Sequence, residues 1–179
     1  GEYKKAEYND LFKAAVNDSS YTVAGNALEA LQKTDAPAAS ALVKQLANTT
    51  MKGKLREVVM TEIFKSGDES MADKIIGDFS KMPMSQAKFE ALNGLNIYLS
   101  AIKNIEKVKW GVSEIAKFRE SIPAAFRSQT DGYINDFILK GILTKKEKEA
   151  NADKDNVALQ ELVKFIKAKI SGEEEKKGF

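Results

Sequence analysis

The stretch Ile122-Pro123-Ala124-Ala125-Phe126-Arg127-Ser128-Gln129-Thr130-Asp131-Gly132-Tyr133 gathers a guanidinium, an amide and a carboxylate between a proline and a glycine, with a phenol just beyond. Polar groups at a helix break can bind a partner, or they can take up the backbone groups that the break frees. Arg127, Asp131 and Tyr133 are therefore the candidate contact residues of the chain. Asp153-Lys154-Asp155-Asn156 has the acids that open a calcium loop. It lacks the glycine of the sharp turn and a closing carboxylate at the right offset, so a helix N-cap is expected there. The runs Lys145–Glu149 and Glu173–Lys177 mix both signs, as solvated helix faces do. Asp68, Glu69 and Asp73 stand where carboxylates offset the dipole of a helix start.

What is missing excludes more. The 179 residues contain no histidine and no cysteine. A Ser-His-Asp triad, a Cys-His pair, an H-E-x-x-H zinc helix and a C-x-x-C redox pair are all ruled out. The 28 basic and 26 acidic residues leave a formal charge of +2. That balance speaks against a nucleic-acid binder, which needs a basic excess on one face. No apolar run reaches the roughly 18 residues of a membrane span. Absence of cysteine is compatible with a cytoplasmic or a periplasmic setting. The start Gly1-Glu2-Tyr3, without methionine, reads as a piece excised from a larger protein.

The elements that carry these residues read at helical period throughout. Helices are expected over about 2–16, 20–33, from 37, 52–65, 69–80, 84–102, 104–120 and about 155–170. Another runs from 123 to about 148, with an interruption at Asp131-Gly132 and a stripe of Tyr133, Ile134, Phe137, Ile138, Ile142 and Leu143. Other stripes include Val23, Ala27, Leu28 and Leu31, and Ala38, Ala41, Leu42 and Leu46. Pro37, Pro83 and Pro123 punctuate helix starts. Ser66-Gly67-Asp68 reads as a glycine stop followed by an N-cap. Starts near Tyr21, Gly53 and Gln86 suggest a helix-pair period of about 32–33 residues, as in helical solenoids. The fold expected is all-α, a superhelix of about eight or nine antiparallel helices. Residues 1–170 form one domain, and 171–179 form a charged, frayed tail.

The run Asp18 to Leu31, Asp-Ser-Ser-Tyr-Thr-Val-Ala-Gly-Asn-Ala-Leu-Glu-Ala-Leu, resembles the start of the helical-repeat region of bacterial aminopeptidase N-like zinc peptidases. The run Ile122 to Asn135 resembles the closing part of that region. The resemblance implies a HEAT-like C-terminal domain that folds over a catalytic cleft and limits peptide access. It implies no catalytic residue in this chain, and zinc only in the catalytic domain of the parent. The partners implied are that catalytic domain and the peptide substrate, with no nucleic acid. Arg127 is the first choice for holding a peptide carboxylate, ahead of Arg56 and Arg119; a plain surface or interdomain role is the competing expectation for each. The alternative is a free-standing HEAT-like scaffold that binds another protein.

Overall fold

The computed structural model describes residues 8–172. All regular structure among them is helical: α1 (Asn9–Ala15), α2 (Tyr21–Thr34), α3 (Ala36–Leu46), α4 (Gly53–Ser66), α5 (Ala72–Lys81), α6 (Gln86–Ala101), α7 (Ile105–Ser121), α8 (Ala124–Gly132), α9 (Lys140–Ala152) and α10 (Val157–Ser171). A 3-10 turn, Glu69–Met71, leads into α5, and a π-helical segment, Tyr133–Leu139, fuses α8 and α9 into one rod. The fold is all-α, with nine helical rods among the described residues. Residues 173–179 of the expected tail, and the start of the helix expected from residue 2, lie outside the described residues.

Local chemistry explains the starts. Ser20, Asp35, Ser85, Asn104 and Asn156 each accept a hydrogen bond from the backbone N–H three residues on. Each such cap contributes about 1 kcal/mol. Asn156 thus fills the N-cap role expected for the acidic loop that precedes α10. Gly67 ends α4 in the left-handed region (φ 62°), which glycine enters without penalty.

The chain divides into two compact units, residues 1–63 and 64–179. In the first, α2 packs against α1 and α3, and Leu28, Leu31, Val43, Val58 and Val59 are buried. Glu29 and Lys54 join α2 to α4 at 2.7 Å, and Gln32 bonds Glu62 at 3.2 Å. In the second unit alternate helices lie side by side: α5 packs on α7 and α7 on α10, while α6 packs on α9. Consecutive helices therefore fall into two layers. Tyr98, fully buried on α6, donates to the Asp68 carbonyl at 2.7 Å. Burial, with Asp68, Glu69 and Asp73 nearby, raises its phenol pKa and keeps it neutral.

Helices α2, α4 and α6 begin at Tyr21, Gly53 and Gln86, the expected period. The period stops there, because α8 begins only at Ala124. Several stripes differ from expectation. Val23 is exposed, and Ala24 and Gly25 take its inward place. On α3 the buried residues are Ala39 and Val43, one position round from the expected stripe. On the long rod the buried row is Ile134, Ile138, Ile142, Lys146 and Ala150. Phe137 is not part of it: the π segment turns its ring outward, 71% exposed.

Gly25 marks the tightest approach in the first unit. A Cβ there would stand 2.8 Å from the backbone nitrogen of Leu55 and 2.6 Å from Cγ of Lys54. Gly25→Ala gains about 1 kcal/mol of helix propensity but forces backbone apart, an overpacking that costs about 1–3 kcal/mol. A net destabilisation of about 1 kcal/mol is expected, read as a lower urea midpoint; a stabilised variant would show that α2 and α4 do not approach this closely.

Candidate functional site

The polar stretch 122–133 is built on the end of α7. Ile122 leaves the helix in extended conformation (φ −67°, ψ 130°), and Pro123 blocks its continuation. The last carbonyls are left without helical donors. Arg127 supplies them: Nε donates to the Ile122 carbonyl at 2.9 Å and Nη2 to that of Glu120 at 2.7 Å. The foremost candidate contact residue is thus a C-cap.

The same device recurs at two more helix ends. At the end of α5, Met82 is extended, and Lys88 Nζ donates to the Met82 and Ser80 carbonyls at 2.9 and 3.3 Å. At the end of α6, Ile102 is extended, and Lys146 Nζ donates to the Ile102 and Ser100 carbonyls at 2.6 and 3.4 Å. Each time a cation spans the C-cap carbonyl and the one two residues earlier. Lys88 also lies over the Phe79 and Phe118 rings, 5.0 and 5.4 Å from their centres. Lys146 is only 1% exposed, and burial lowers its ammonium pKa, although Glu149 at 3.2 Å opposes this. Burial alone would raise the Glu149 carboxyl; Lys103, at 2.6 Å, and Lys146 hold it below its ordinary value. The run 145–149 is therefore not a uniformly solvated face. Its one signal in sequence was the position of Lys146 four residues after Ile142, in line with the buried row.

Arg127 and Asp131 share a cleft of about 340 Å³ with Arg119, Asn135 and the end of α10. Arg119 is buried and donates to Asn135 Oδ1 at 2.6 Å. Asp131 Oδ1 is enclosed and makes no hydrogen bond. Tyr133 does not line this cleft. Its ring stacks on Phe89 of α6, with centroids 5.2 Å apart, and on Phe137 at 6.0 Å. Phe126 is exposed, and so is Arg56 on α4. The three predicted residues thus divide between a cleft and an aromatic stack.

No protein-family profile, curated protein or solved structure matches this chain. The roles of its polar groups follow from geometry alone. Among the described residues no three His, Cys, Asp or Glu side chains converge as a metal site. The buried cations Lys88, Arg119 and Lys146 are all engaged with carbonyls, a carboxylate or an amide. Such an arrangement holds helices in place.

Two measurements check these roles. Arg127→Ala should destabilise by about 0.5–1.5 kcal/mol, because it removes two hydrogen bonds at a partly exposed helix end; Arg127→Lys should recover only part, having lost the fork. An unchanged urea midpoint in both would remove the capping role. Glu149 is expected to give an acid-sensitive increment of stability. Its folded pKa lies below 4.5, so its contribution is present above that pH and is lost as pH falls through the folded value. The stability difference between the wild type and Glu149→Gln should shrink on going from pH 7 to pH 3; a constant difference would contradict it.

Proposed function

We propose that this chain is a non-catalytic helical domain of a zinc aminopeptidase, which covers the catalytic cleft and limits the peptides that reach it. The reading is carried by the resemblance of residues 18–31 and 122–135 to the two ends of that family's helical region. The structure gives those segments architectural work. The first is α2 with its Ser20 cap and its close approach at Gly25; the second is the capped turn from α7 into α8. The two helical layers of the second unit would offer faces and edges to a neighbouring domain and select by bulk and charge. The chain has no His or Cys, so the H-E-x-x-H site that this reading requires cannot lie within it. In this reading the metal belongs to the catalytic domain, and this chain excludes solvent and oversized peptides from it.

A free-standing scaffold is the second reading. It draws on the stacked rings of Phe89, Tyr133 and Phe137, the last of them exposed to a partner. The reading frame that encodes the chain separates the two. The aminopeptidase reading expects H-E-x-x-H and a later zinc-binding Glu N-terminal to residue 1, and no hydrolysis of aminoacyl anilides by the isolated chain supplied with zinc. A frame without that motif, or chelator-sensitive hydrolysis by the isolated chain, would overturn it.

A further inference from the structure

A groove of about 560 Å³ runs beside the ends of α4 and α6 and along α9. Lys65, Lys103 and Lys145 line it, together with Asn96, Ser100 and the half-exposed Ile97. No carboxylate lines it. Two acids of the adjoining turns are already engaged. Glu149 is shared between Lys103 and Lys146, and Glu69 accepts from the backbone N–H groups of Lys103 and Asn104. Among the described residues, Lys65 and Lys145 form no ion pair. Of the three lining lysines Lys103 is paired with Glu149, so Lys65 and Lys145 bring unpaired positive charge to the groove.

We propose that this groove binds a small organic phosphate, with its phosphoryl group among the lysines and its organic part against Ile97. The lining chooses between anions. A planar carboxylate is best matched by the fork of arginine, and no arginine lines the groove. Lysines act as mobile point charges and favour a compact group carrying more than one charge. Asn96 and Ser100, hydrogen-bonded to each other at 3.3 Å, stand beside them. The volume lies within the range of about 300–1,000 Å³ typical of small-molecule sites, well above what a bare phosphate fills. This site does not depend on the aminopeptidase reading and stands or falls separately.

Phenyl phosphate is a suitable probe, titrated into the intact chain at constant ionic strength and followed by calorimetry and by the amide resonances of Asn96 and Ser100. Saturable binding is expected, with benzoate and inorganic phosphate each weaker by about tenfold. Lys65→Gln/Lys145→Gln should weaken phenyl phosphate by about tenfold, with circular dichroism and the ligand-free Tm unchanged, since both side chains are exposed. Absence of saturable binding, equal affinity of wild type and double variant, or benzoate or inorganic phosphate binding as tightly as phenyl phosphate would each overturn the proposal.

Discussion

The second unit depends on how its helices stop. A helix that ends in left-handed glycine folds its last carbonyls back onto its own N–H groups. Helices α5, α6 and α7 do not end that way: their C-caps, Met82, Ile102 and Ile122, are extended. Their terminal carbonyls must find donors elsewhere, and a buried carbonyl without one costs about 1–3 kcal/mol. Lys88, Lys146 and Arg127 meet that need. The turn after α6 is held from both directions. Lys146 takes the carbonyls of Ser100 and Ile102, Glu69 takes the N–H groups of Lys103 and Asn104, and Glu149 joins Lys103 to Lys146. Three elements far apart in sequence thereby converge on one junction.

This use of charge bears on function. A buried ammonium or guanidinium in a protein of unknown role invites a catalytic reading. Here the positive ends are turned onto helix carbonyls, where the macrodipole favours them. Of the cations facing solvent, Lys65, Lys103 and Lys145 line the groove beside α9.

Much of the fold was legible in the residues. Ser20, Gly67 and Asn156 act as caps or stops through chemistry confined to their own neighbours, and α2, α4 and α6 begin where the apolar period places them. What could not be read depends on distant partners. Arg127 stood out as a contact residue because the carbonyls it serves are silent in sequence. Lys146 stood in a run read as a solvated face, and Lys88 drew no reading at all, since only the neighbouring helix makes each interior. Phe137 looked like core because the stripe assumed a uniform helical pitch. Of the candidate site, sequence located the break and its polar groups, but not their division between the Arg119–Asn135 cleft and the Phe89 stack.

The π segment has a further consequence, one of phase. A buried row on the long rod advances in steps of four, from Ile134 through Ile138, Ile142 and Lys146 to Ala150, with Leu139 buried beside it. In an α-helix a step of four overshoots a full turn by about 40°, so such a row would wind around the rod. A π turn holds more residues, and the same step falls short. Placing the wide turn first sets the row back before the α-helical part carries it forward. The rod acts as a vernier, keeping one edge aimed inward long enough for Lys146 to arrive at the end of α6.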